Sequence, residues 1–173
     1  MTSHHVEQGM KFTVSKTGLF WLLSALLLGL SGCTKDIPNT SVPDTPQNRA
    51  VINFMEQYRR SVEERDIGAL LEMASQLYLD DNGTPAGEDD IDFRTLQTKL
   101  KRWRDRVTDV RYEIKYRTIH WDVDQIHVDY RYSASFRVAY DEEDDRWSRR
   151  IGENRLVLTR DDVQERFLVL SGM

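Results

Sequence analysis

The amino-acid sequence predicts an α+β domain: three N-terminal helices packed on a curved, four-stranded antiparallel sheet. Three observations predict it. Apolar residues recur every three or four positions up to Val107, and every second position after Thr108. One parity then holds from Ile126 to Tyr140, a run so long that its strand must curl around whatever it covers.

The first helix shows Val51, Met55, Tyr58 and Val62 on one face, joined by Ile52 and Phe54, with Arg60, Glu63 and Glu64 opposite. Asp66 stands where an N-cap starts a second helix, whose stripe is Leu70, Leu71, Ala74, Leu77 and Tyr78. Asp80 to Asp90, with Gly83, Pro85 and Gly87, reads as a loop. Asp92 caps a third helix along Phe93, Leu96, Leu100, Trp103 and Val107. In the first strand Val110, Tyr112, Ile114 and Tyr116 share a face, and the apolar pair then shifts to Ile119 and Trp121, which predicts a β-bulge near Thr118. Residues Asp122 to Gln125 make a turn into the long second strand. An acidic hairpin loop covers Asp141 to Asp145, a third strand runs from about Trp147 to Thr159 and a fourth from about Val163 to Leu170.

The formal charge is −5, and residues 1–32 hold Lys11 and Lys16 against Glu7, so the rest of the chain is more acidic still. That balance argues against nucleic acid as a partner. A single cysteine rules out an intrachain disulfide and a multi-thiolate zinc site. Lys11 and Lys16 precede a nearly unbroken apolar stretch from Gly18 to Leu30. As a helix this spans about 20 Å, against the roughly 30 Å of a bilayer core. It is the length of a signal-peptide core and short for a membrane span. Met10 reads as the initiator, with the residues before it an upstream extension.

The segment ends Leu30-Ser31-Gly32-Cys33. This resembles the bacterial lipobox, which implies cleavage between Gly32 and Cys33 and lipidation of the Cys33 sulfur and amino terminus. Residues 1–32 are then a signal peptide and the acyl chains are the membrane contact. One chain anchors only marginally, at about 0.8 kcal/mol per buried CH₂, whereas several hold permanently. Thr34, where an aspartate would resemble an inner-membrane retention signal, implies the outer membrane of the cell envelope, facing the periplasm. Residues 33–48, with Pro38, Pro43 and Pro46, read as the lipidated cysteine and a flexible tether, and residues 49–173 as the domain.

The run FMEQYRRSVEERDIGALLEMAS, with the long meander after it, resembles the opening of the nuclear transport factor 2-like (SnoaL-like, cystatin-like) superfamily. The resemblance implies a cone in which a curled sheet wraps the helices around a pocket, often as a homodimer through the sheet face. Enzymes of that superfamily pair an acid–base group with donors to a developing oxyanion. Here Tyr58, Tyr78, Trp103, Tyr112, Tyr116, Tyr130 and Tyr132 are the expected pocket lining. Tyr58, Tyr112, His120 and Asp122 are the candidates for chemistry, the last two as a His-x-Asp pair, whose default reading is an exposed charge ladder. No third metal ligand accompanies that pair. The loop Asp80–Asp90 fails the EF-hand pattern, because Tyr78 would stand at its first position. Lys99, Lys101, Arg102, Arg104 and Arg106 give the third helix a basic outer side, a solvated face or a contact for acidic partners. Nothing in the sequence calls for a cofactor or a resident metal. The expected function is a non-enzymatic module of the envelope that binds a small apolar ligand or an envelope protein. The alternative is an isomerase or dehydratase using a pocket Asp or His with a tyrosine donor.

Overall fold

The computed structural model describes Lys35–Met173, except residues 85–86, 139–145 and 162. The expected signal segment, with Gly32, Cys33 and Thr34, and the acidic loop at 141–145 lie outside the described residues.

Three helices lead. Helix α1 spans Pro46–Glu64: the Thr45 side chain accepts from the Asn48 amide and Pro46 sits in the first turn, where its missing N–H costs nothing. Arg65 ends it in the left-handed region at φ 53°. The Arg65 guanidinium donates to the Val107 carbonyl at 2.5 Å, tying the helix junction to the start of the sheet. Asp66 then caps α2 (Ile67–Met73) by accepting from the Ala69 amide, and Asp92 caps α3 (Phe93–Arg106) by accepting from Thr95. Between them a two-residue pair, β1 (Leu79–Asp80) with β2 (Ile91–Asp92), closes the polar loop. In that loop Asp80 and Asp81 accept from the amides of Asn82 and Gly83, and Asp89 accepts from Thr84. Asp80, Asp81 and Asp89 are thus engaged by the loop's own backbone and side chains.

The main sheet is antiparallel, in the order β3 (Val107–Trp121), β4 (Ile126–Val138), β5 (Arg146–Asp161) and β6 (Arg166–Ser171). The bulge falls between Tyr116 and Thr118, as the parity shift predicts. The turn closes where the Asp122 amide donates to the Gln125 carbonyl. The final hairpin turns later than expected, with β6 beginning at Arg166 where Val163 was the expected start. Met55, Val51, Leu70, Val128, Leu156, Leu158 and Val169 form the centre of the core between helices and sheet. Edge strand β3 is covered by α1: Glu63 accepts from the Tyr112 amide at 2.9 Å, which occupies a donor that would otherwise template pairing.

The expected tether is corrected by the structure. Val42 is fully buried and Ile37 nearly so, both within the main core cluster. Lys35 to Asp44 form a tight loop in which Ile37 donates to Val42 and Asp44 to Lys35, and Ser41 donates to the Tyr116 carbonyl of β3. Asn39 turns the loop at φ 64°, a conformation its short side chain tolerates. The folded domain therefore begins at Lys35, and α1 starts at Pro46 before the expected Arg49. A segment of Pro, Ser, Thr and Asn reads as linker because it has no apolar period. Two well-placed apolar residues suffice to dock it.

Candidate functional site

An apolar cavity of about 260 Å³ opens between α1, α3 and the inner face of the sheet, below the 300–1,000 Å³ usual for drug-sized ligands. Tyr58, Leu70, Val110 and Tyr112 are buried and form its floor. Val62, Leu100, Trp103, Ala134, Phe136 and Met173 are half-buried and form its rim. The helices supply one wall at helical spacing and β3 and β4 the other at alternate positions.

The floor is a phenol cluster. Tyr58 and Tyr112 meet edge to face with centroids 6.4 Å apart. The hydroxyls of Tyr58 and Tyr112 interact with that of Tyr130 beneath them. Asn154 donates from one side-chain nitrogen to the Tyr130 hydroxyl at 2.9 Å and to the Gly172 carbonyl at 2.8 Å. Burial pushes all three phenols above their ordinary range, with the neighbouring phenols adding to the rise at Tyr58 and Tyr112. They therefore stay protonated around neutral pH, as donors and acceptors but not bases.

No Asp, Glu, His, Lys or Arg lines this cavity among the described residues. Carboxylates do meet tyrosines elsewhere. Glu56 accepts from the Tyr116 hydroxyl at 2.7 Å and from Arg59 at 2.9 Å. Burial pushes Glu56 up, but those two hydrogen bonds outweigh it and hold the carboxyl below its usual range. A carboxylate so stabilised is a weak base. Asp80 faces the Tyr78 hydroxyl at 3.4 Å and accepts from the Gly172 amide at 3.0 Å, a clamp on the C-terminal segment.

Of the residues expected to line the pocket, Tyr58, Trp103 and Tyr112 do so. Tyr130 lies behind the floor, and Tyr78 is buried against the C-terminal segment, where its hydroxyl accepts from the Met173 amide. Tyr116 is turned to Glu56 on α1, farther along β3. Tyr132 packs beside Tyr112, its ring over Gly152, where a Cβ would come within 2.9 Å of the phenol oxygen. Alternation along a strand gives the inward side. Which inward residue meets open space depends on how far along the strand the helices reach.

His120 and Asp122 are not part of this site. The bulge turns His120 outward, where it is exposed and pairs in register with His127 at a ring distance of 6.4 Å. Asp122 lies in the turn, its carboxylate accepting from the Val123 amide. Among the described residues no group of three His, Cys, Asp or Glu is placed to hold a metal ion. The sequence does not single out Ala134, Phe136, Val62, Leu70, Leu100, Val110 or Met173 as lining residues. The parity of β4 and the stripe of α3 carry signal for the first two and for Leu100, whereas nothing in the sequence marks Met173.

No family model matches the chain, and no curated protein matches it. Solved structures do. A ketosteroid isomerase-like protein from Erwinia carotovora atroseptica superposes with a TM-score of 0.54 at 14% identity, covering 73% of this chain and 93% of its own. A candidate scytalone dehydratase from Novosphingobium aromaticivorans gives 0.60 at 10% identity, covering 73% and 80%. A conserved protein from Planctomyces limnophilus gives 0.60 at 9%, covering 73% and 98%. At such identities the likeness is one of fold. The domain has the nuclear transport factor 2-like α+β fold, three helices on a four-stranded antiparallel sheet. That fold hosts both enzymes and proteins of other roles, so the site must decide between them.

Proposed function

We propose that this chain is a lipid-anchored, non-enzymatic binding module of the bacterial envelope that holds a small apolar ligand in the cavity. The carrying observation is the lining: apolar side chains and un-ionised phenols, with no carboxylate or imidazole within it among the described residues. Proton abstraction needs a base within about 3 Å of the substrate carbon's proton, and the floor offers only phenols that burial keeps un-ionised. The anchor is the acylated Cys33, from the Leu30-Ser31-Gly32-Cys33 sequence, at the outer membrane facing the periplasm. With the domain beginning at Lys35, only Thr34 separates it from that cysteine.

The cavity is tested with the uncharged fluorescent probe phenylnaphthylamine. Ala134→Trp places an indole at the rim, and at least a tenfold loss of probe affinity with an unchanged circular dichroism spectrum is expected. Equal binding by the variant would place the probe elsewhere and overturn the reading. The anchor is tested by palmitate labelling of cells producing the full chain. Label on the native protein and none on Cys33→Ser is expected, with the variant leaving the membrane fraction. An unlabelled native protein removes the anchor from the proposal.

A further inference from the structure

The cavity is apolar, but the residues around its mouth are not. Leu100 and Trp103 place α3 on the rim. On a helix, side chains three or four positions apart have Cβ atoms about 5–6 Å apart. Lys99 stands four before Trp103 and Arg104 four after Leu100, so both flank the rim residues, and both are exposed. Across the mouth Ala134 lies on β4, and its registered partner on β5 is Arg150, also exposed. Directly opposite residues on neighbouring strands have Cβ atoms about 5 Å apart, so a guanidinium lies beside the sheet side of the opening.

Helical spacing and strand register thus set three cations next to rim residues of one apolar mouth, on a chain whose formal charge is −5. Helix α3 holds Arg94, Lys99, Lys101, Arg102, Arg104 and Arg106 against Asp105 alone. A helix C-terminus favours cations in its last turn, which accounts for Arg104 and Arg106. It does not account for Lys99, nor for Arg150 on a strand. Among the described residues neither Lys99 nor Arg150 is in an ion pair, and Arg104 has only its exposed neighbour Asp105 at 3.5 Å. Such exposed pairs hold little energy, so an anion arriving at the mouth meets charges that are available to it.

We infer that the ligand is an amphiphile: an apolar ring or short chain that enters the cavity, with one anionic group that stays at the mouth against Lys99, Arg104 and Arg150. This rests on the cavity reading above and specifies its ligand class. The apolar body supplies burial on the floor of Tyr58, Tyr112 and Val110, and the charge sets orientation and discriminates against uncharged hydrocarbons.

Two probes of nearly the same shape separate the terms: uncharged phenylnaphthylamine and its anionic relative anilinonaphthalene sulfonate. Both are titrated against the full chain at low salt, with Ala134→Trp as the baseline for binding outside the cavity. The sulfonate is expected to bind at least tenfold more tightly, and half-molar sodium chloride should shrink that advantage. The variant Lys99→Gln/Arg104→Gln/Arg150→Gln should lose the advantage while binding phenylnaphthylamine as before. Equal affinities in the native chain, or a triple variant that retains the preference, would overturn the inference and leave the cavity reading standing. If neither probe shows binding above the blocked variant, the cavity reading itself fails and takes this inference with it.

Discussion

Replacing Gly172 with alanine is expected to cost about 3 kcal/mol of stability, lowering the melting temperature by about 10 °C. Gly172 sits at φ 93°, in the region that favours glycine, and an added Cβ would fall 2.0 Å from the Arg155 carbonyl oxygen. That oxygen is backbone in a central strand and cannot swing aside as a side chain would. Relief requires the C-terminal segment to lift from β5. Lifting it breaks the bond from the Gly172 amide to Asp80, the bond from Asn154 to the Gly172 carbonyl, and that from the Met173 amide to the Tyr78 hydroxyl. Asn154 also holds Tyr130 under the phenol floor, and Met173 forms part of the rim, so probe binding should fall along with stability. The control is Gly83, at φ 70°, where an added Cβ would meet nothing within 4 Å. Gly83→Ala should cost only the backbone strain, about 1 kcal/mol. If thermal unfolding shows the two variants equally destabilised, the close approach at Gly172 is not what holds that segment down.

The second large effect concerns the N-terminal arm. Val42→Asp is expected to destabilise the domain by about 3 kcal/mol or more, because a carboxylate would be buried without a partner. Val42 has no exposed surface and packs in the cluster that includes Val51, Met55 and Val128. The Val42 carbonyl also accepts from Ile37 within the loop that donates from Ser41 to Tyr116, so expelling the side chain undoes the docking on β3. Ser41→Asp, one residue away on an exposed side chain, should change stability by less than about 0.5 kcal/mol. Chemical denaturation decides the matter: a tether would tolerate both substitutions equally, and an unchanged midpoint for Val42→Asp would return residues 35–48 to that role.

Much of this architecture was legible residue by residue. Asp66 and Asp92 sit before apolar runs of helical period, and each is an N-cap whose carboxylate accepts from an amide three residues on. The slip from Tyr116 to Ile119 marks the bulge, because a single extra residue reverses every later side chain. The site was legible in part. Tyr58, Trp103 and Tyr112 are expected at the pocket and stand there, whereas Tyr116 and Tyr132 share the inward parity and do not line it. Parity gives direction but not depth along a strand, and depth is set by where α3 and the C-terminal segment cross.

The hydrophobic periods by themselves determined three helices, the four strands of the main sheet and the side of that sheet that faces inward. Those are local properties, since each depends on residues a few positions apart and on the geometry of one element. Only the tertiary structure decided that Lys35 to Asp44 belong to the core, that Met173 joins Trp103 around one opening, and that Arg150 stands beside it. Those contacts join segments far apart in the chain. Their existence depends on packing complementarity, which no local pattern records.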